Sequence, residues 1–247
     1  MNKLTWLMTC ALMTTGCDNT HDAVPDASIP TYTARIRGTL AATIGDAKTM
    51  HDALASGGQA QSNAAGDFAH QVGLGTTDLD TQLNEFLALD QWRTADGAQA
   101  FYANAQFTAG LDALFTMTPS IELFERHPDW VSWGDLGAGR ESGQPYWFVV
   151  IEGTLASTDV ETNHAAHDMI AGASEAQAQQ AGDIAHLPHL AVADDRTFFN
   201  VDIWNNEQGM LATFTNPDFQ AAFQSLFASP PDLRVYSSTD WYQWYAP

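Results

Sequence analysis

The second half of this chain repeats the first, and that duplication limits the possible folds more than any other feature. Gly38-Thr39-Leu40-Ala41 returns as Gly153-Thr154-Leu155-Ala156, and His51-Asp52 returns as His167-Asp168. Gly66-Asp67-x-Ala69-His70 returns as Gly182-Asp183-x-Ala185-His186, so both copies fit H-D-x13-G-D-x-A-H with the same internal spacing. Further on, Asp90-x-Trp92 matches Asp202-x-Trp204, Asn104 matches Asn216, and Phe107 matches Phe219. Leu114-Phe115 matches Leu226-Phe227, and Asp129-Trp130-x-x-Trp133 matches Asp240-Trp241-x-x-Trp244. So many anchors in one order mean a repeated structural unit, in which each copy buries a face against its neighbour.

Each copy reads as strand, helix, strand, strand, helix, strand. In the first, a strand over residues 34–42 leads to a helix over 46–65, and Gly66 is placed to end that helix in the left-handed conformation. A strand from Phe68, a turn-rich loop and a strand over 85–92 follow. Residues 95–115 carry Phe101, Phe107, Leu111, Leu114 and Phe115 at helical spacing, and Pro119 introduces a last strand over 121–125. The predicted organisation is a first repeat over 32–133, a glycine-rich linker over 134–146 and a second repeat over 147–247. This order is the ferredoxin-like βαββαβ unit, an antiparallel sheet with both helices on one face. The bare face must be covered, and a tandem copy can do that about a pseudo-twofold axis.

The Gly-Asp-x-Ala-His start of the second strand, the strand ending in Asp-x-Trp and the later Asn-x-x-Phe resemble the antibiotic-biosynthesis-monooxygenase-like domains of the dimeric α/β-barrel superfamily. The resemblance covers about residues 33–133 and 147–245. It implies an α+β chain of two ferredoxin-like repeats packed sheet to sheet as an intrachain dimeric α/β barrel, a monomer carrying its own pseudo-dimer. The family includes heme-degrading and quinol-type monooxygenases that work without flavin or a protein-held metal, so no cofactor is expected. The Trp and His of the heme degraders' second helix would fall on Ala100 and Gly110, and on Ala212 and Ala222, which speaks against heme degradation. A quinol-type oxygenase needs only an apolar pocket, an orienting polar group and a base.

Strand alternation supplies candidate residues for those roles. In residues 198–204, Phe199, Val201 and Ile203 share one face, expected under the helices; Phe198, Asn200, Asp202 and Trp204 share the other, expected to face the space between the sheets. In the first copy Leu87 and Leu89 oppose Phe86, Ala88, Asp90 and Trp92. A carboxylate in an apolar cavity tends to a raised pKa and recurs at active sites, although it can equally be a satisfied structural group. His70 and Asp90, and His186 and Asp202, are the candidate catalytic pairs; whether they meet is a spatial question. Trp92, Trp204, Asn200, His51 and His167 are candidate ligand contacts, with His51 and His167 expected to hydrogen-bond to the turns at Asp67 and Asp183. His164 and His167 can share a helical face, but the first copy has Lys48 where the second has His164, so they are weak metal candidates and no metal site is assigned. The Trp130/Trp133 and Trp241/Trp244 pairs are expected to cap barrel edges or pack on the neighbouring copy. No phosphate-binding loop or nucleophile elbow is present.

Residues 1–17 place a charged start and a ten-residue apolar run before Gly16-Cys17, which resembles a bacterial lipobox with Cys17 as the lipidated residue. The run is too short to span a bilayer. Residues 18–31 are small and polar and suit a tether. The expected address is therefore the bacterial cell envelope, exported and held to the membrane by lipid alone. The only other cysteine is Cys10, so the mature chain has no disulfide framework and no cysteine metal site. Cleavage before Cys17 leaves 8 basic against 30 acidic residues, a balance that argues against nucleic acid as a partner. Two functions remain open: a monooxygenase-like enzyme acting without a cofactor on a small phenolic or quinol substrate, and a non-catalytic lipoprotein that binds a small apolar or aromatic molecule or serves as an interaction module.

Overall fold

The computed structural model describes residues 31–246; the leader, Cys17 and nearly all of the tether lie outside them. In the first copy, β1 (Tyr32–Thr39), α1 (Ile44–Ala64), β2 (Asp67–Gly75), β3 (Glu85–Trp92), α2 (Ala95–Tyr102), α3 (Ala105–Asp112) and β4 (Ser120–Arg126) follow in order. A short α4 (Ala138–Glu141) lies between the copies. The second copy has β5 (Trp147–Thr154), α5 (Val160–Ala181), β6 (Asp183–Ala191), β7 (Asp194–Trp204), α6 (Glu207–Phe214), α7 (Pro217–Gln224) and β8 (Asp232–Ser238), then a two-residue β9 (Trp244–Tyr245).

Local chemistry sets these boundaries. Thr43 caps α1 by accepting from the Asp46 N–H, and Asp159 caps α5 by accepting from the Thr162 N–H. Gly66 (φ +105°) and Gly182 (φ +111°) end those helices in the left-handed region, where a β-carbon would be strained. The single helix expected over 95–115 is two helices. Asn104 accepts from the N–H groups of Gln106 and Phe107 and so starts α3, and Asn216 does the same for α7 with Pro217 in its first turn. The duplicated asparagine is thus a helix cap that turns the chain.

The first copy orders its strands β4-β1-β3-β2 and the second β6-β7-β5-β8. Pairing of β4 with β6 (Phe124 opposite Ala191) and of β2 with β8 (Gly73 opposite Ser238) closes all eight into an antiparallel barrel, and β9 adds to β2. Closure leaves no open edge on the eight. Among the described residues no helix is long and apolar enough to cross a membrane.

The expected assignment of strand faces is reversed. Phe199, Val201 and Ile203 fill the barrel interior with Leu87, Leu89, Phe124, Phe148 and Val150. Phe198 and Trp204 lie instead with Val149, Ile151, Met210 and Phe214 beneath the helices, as do Phe86, Ala88 and Trp92 in the first copy. Both faces of a strand are buried in a barrel wrapped by helices, so the more apolar face need not be the helix-facing one. The interior even holds a charge: Arg35, 1% exposed, pairs at 2.9 Å with both Glu122 and Glu152. Glu152 belongs to the second copy, so this buried pair ties the halves together.

Candidate functional site

Each half holds a chain of polar side chains between its sheet and its helices. In the first, the 2.5 Å contact between His70 Nδ1 and Asp90 Oδ1 follows from the pairing of β2 with β3, which sets these residues opposite each other. In the second, His186 Nδ1 lies 2.6 Å from Asp202 Oδ1 on the corresponding strands. The two pairs suggested by the sequence therefore meet.

His51 and His167 do not bond to the turns at Asp67 and Asp183 as expected. Their helices carry them over the sheet histidines: His51 Nε2 is 3.1 Å from His70 Nε2, and His167 Nε2 is 3.1 Å from His186 Nε2. Their Nδ1 atoms face the next residue on the helix, Asp52 at 3.1 Å and Asp168 at 2.9 Å. Burial raises the Asp52 carboxyl, but hydrogen bonds from Lys48, the Tyr242 N–H and His51 outweigh it and hold the group below its ordinary value. The same balance, with His167, the Val131 N–H and His164, lowers Asp168. Ionised Asp52 can only accept, so His51 Nδ1 must donate to it, and His51 Nε2 is left to accept from His70. This agrees with the pKa of His51 and of His167, each lowered to about 4 by burial first and then by its partner histidine. The result is a continuous relay, Asp202–His186–His167–Asp168, from the sheet to a partly exposed carboxylate, and its counterpart Asp90–His70–His51–Asp52.

Each relay is covered by tryptophans of the opposite copy. Trp133 stacks on His186 with centroids 4.6 Å apart, and Trp244 stacks on His70 at the same distance. Trp130 lies over His164 and His167, and Trp241 lies over His51. The pairs pack on the neighbouring copy, and neither half completes its site alone.

His164 and His167 bind the two oxygens of one carboxylate: His164 Nε2 is 2.9 Å from Asp168 Oδ2, and His167 takes Oδ1. His164 thus does the work of Lys48, whose ammonium meets Asp52 at 2.6 Å. Among the described residues no group of three His, Cys, Asp or Glu side chains is arranged to hold a metal ion. His189 turns to the barrel interior, hydrogen-bonded to Thr33 Oγ1 at 2.9 Å, and burial lowers it to about 3.

His51, His70, Asp90 and Trp244 line a cavity of about 40 Å³ in the first half. His167, His186, Asn200, Asp202, Trp204 and Trp133 line one of about 50 Å³ in the second. Trp92, a candidate ligand contact, is not among the residues lining the first cavity; it packs on Phe101 and Tyr102 with centroids 5.3 and 5.7 Å apart. The second cavity adjoins a groove of about 670 Å³ between α5 and α6–α7, sharing Ile170, Ser174, Ala178, Thr213 and Phe219 with it.

Sequence reasoning missed Asp67, Asp183 and Tyr102 as members of the sites. Burial, and then the charge of Asp90, raises Asp67 to about 8; burial and Asp202 raise Asp183 to about 9. The signal was present in the duplicated Gly-Asp-x-Ala-His, whose aspartate was read as the start of the strand and as a turn partner for His51 and His167. Tyr102 donates to Asp90 Oδ2, and no repeat marks it because the second copy has Phe214 there.

No protein-family model matches the chain, and no curated protein matches it. Solved structures do. An anthrone oxidase-like protein aligns over 88% of this chain and 94% of its own at 16% identity, with a TM-score of 0.60. A candidate monooxygenase of Lactobacillus acidophilus NCFM aligns over 85% and 95% at 10% identity, TM-score 0.55. A candidate monooxygenase of Fusobacterium nucleatum subsp. nucleatum aligns over 89% and 99% at 6% identity, TM-score 0.57. At such identities the likeness concerns the fold, which is that of the dimeric α/β barrels.

Proposed function

We propose that this monooxygenase-like barrel oxidises a small phenolic or quinol substrate with dioxygen and without a cofactor, on a lipoprotein anchored through Cys17 at the bacterial cell envelope. The observation that carries the reading is the buried His–Asp relay in the wall of an apolar cavity. The names of the structural neighbours, monooxygenase and anthrone oxidase-like, support it. In the second half Asp202 uses Oδ1 for His186 and Asn200, and no hydrogen bond among the described residues reaches Oδ2. That oxygen takes the phenolic proton, and the relay passes a proton to Asp168, whose side chain is 28% exposed. The electron-rich phenolate then reacts with dioxygen at its para carbon. One oxygen atom stays as the new quinone carbonyl, the other leaves as water, and monophenol plus O₂ gives para-quinone plus water. Apolar walls favour this chemistry by keeping water from the anion.

The test is oxygen uptake with a panel of phenols, quinols and anthrones. Asp202→Asn keeps the shape and the Asn200 contact but removes the base, and it abolishes uptake while the melting temperature holds. Absence of uptake by the wild-type chain with every substrate rejects the reading. One observation favours a second function, ligand binding alone: both inner cavities have room for only a few water molecules, so a ring enters by displacing side chains. A binder shows a ligand-dependent rise in melting temperature without turnover.

A further inference from the structure

The two half-sites differ at one atom that the duplication would have kept. In the first half the Tyr102 hydroxyl donates to Asp90 Oδ2. Burial and the Asp90 charge raise the Tyr102 pKa well above its ordinary value, so the phenol stays protonated. In the second half Phe214 supplies the ring without the oxygen. Two buried polar atoms there have no hydrogen-bond partner among the described residues, each on a residue 1% exposed: Asn200 Oδ1, whose counterpart in the first copy is Ala88, and the Trp204 indole N–H, which Trp92 matches in the first copy. Buried polar groups are almost always hydrogen-bonded, so an unpaired one that lines a cavity points to a ligand that meets it. Both residues line the second cavity.

Access differs in the same direction. Thr213 stands where the first copy has Phe101, and Phe223 where it has Leu111, so the rings that line the two cavities stand in different places. In the first half a β-carbon at Gly110 would meet Leu54 at 2.9 Å, so α1 and α3 are in close contact there. In the second half the counterpart space is the groove between α5 and α6–α7 that adjoins the cavity. The His186 side chain is also the more exposed of the pair, 14% against 8% for His70.

We infer that only the second half-site takes a ligand, that the ligand is a hydroxyarene, and that its hydroxyl takes the place beside Asp202 that the Tyr102 hydroxyl takes beside Asp90 in the first half. The ligand hydroxyl accepts from Trp204 Nε1 and donates to Asn200 Oδ1 or Asp202 Oδ2, with its ring directed to the groove. The first half is then a closed, self-liganded copy. This deepens the proposed function and rests on that reading for its reaction, but binding can be tested separately.

The experiment titrates the full chain with 4-fluorophenol, followed by fluorine NMR, with 4-fluorotoluene as the hydroxyl-free control. The expected result is one saturable equivalent per chain, with 4-fluorotoluene at least about tenfold weaker. Phe214→Tyr places the missing hydroxyl inside the protein and lowers 4-fluorophenol affinity at least about tenfold; Asn200→Ala, with its fold checked by melting, also weakens it. Two equivalents per chain, equal affinity for the two probes, or undiminished binding to Phe214→Tyr overturns the inference. One-equivalent binding without oxygen uptake by any phenol leaves the inference intact and rejects the oxidation. Oxygen uptake that survives Phe214→Tyr unchanged keeps the oxidation and overturns the assignment to the second half.

Discussion

Asp67 and Asp183 give this protein a pH dependence whose sign is opposite to that of most carboxylates. Each is 4% exposed, and burial beside a second aspartate raises them to about 8 and about 9. In the unfolded chain both titrate near 4. Between those limits the folded chain holds one more proton per group than the unfolded chain. Stability therefore falls as pH rises, at about 1.4 kcal/mol per pH unit per group. Three buried histidines act the other way. His51 and His167 are lowered to about 4 and His189 to about 3, against about 6.5 unfolded. Their contribution is present above pH 6.5 and is lost as pH falls below it. From about pH 4.5 to 6 three histidines oppose two aspartates, and these five groups give a net rise of about 1.4 kcal/mol per unit. Above pH 7 the histidines are silent, and the aspartates give a fall of about 2.7 kcal/mol per unit up to about pH 8. The optimum lies between pH 6 and 7. Asp67→Asn and Asp183→Asn each keep the side-chain oxygen that accepts from the Ala69 or Ala185 N–H and remove the titration. Each flattens the alkaline limb by about 1.4 kcal/mol per unit. The assay is urea unfolding at half-unit steps from pH 5.0 to 8.5 with m-values compared across the series. If either variant keeps the wild-type slope between pH 7 and 8, its aspartate is already ionised in the fold and the reasoning fails.

Two further outcomes follow from the way the copies interlock. Arg35→Ala leaves Glu152 without its 2.9 Å partner in the barrel and costs about 3–5 kcal/mol in urea unfolding, whereas a loss under 1 kcal/mol would place that pair in effective contact with solvent. Trp241→Ala removes a 4% exposed ring from over His51, and it costs about 3–5 kcal/mol. By admitting water it also moves His51 in the first copy up from about 4 toward its ordinary value, which imidazole NMR titration reads directly.

The fold was legible because the duplication doubled its signals: strand order and the first helix of each copy follow from a pattern seen twice, whereas the meeting of His70 with Asp90 depends on the register of β2 against β3, which the sequence left open. Burial direction was not legible. Phe199, Val201 and Ile203 face the barrel interior, yet their alternation would look the same beneath helices, since both faces are dry. The partners of His51 were hidden for another reason. Its helix could be rotated to reach Asp67 or His70, and only packing against Phe86 and Trp241 chooses His70. Tyr102 and Phe214 carry no such mark, because a duplication flags the positions its copies share and not those where they differ. Those differences hold the asymmetry between the two sites.

In the proposed reaction the Asp202–His186 relay serves proton removal from a hydroxyarene that dioxygen then oxidises. Oxygen consumption by the full chain is measured with a series of para-unsubstituted phenols and anthrones and compared with Asp202→Asn of equal melting temperature. The wild type is expected to consume oxygen and form para-quinone or anthraquinone, and the variant to do neither. Equal uptake by both proteins, or none by the wild type, contradicts it.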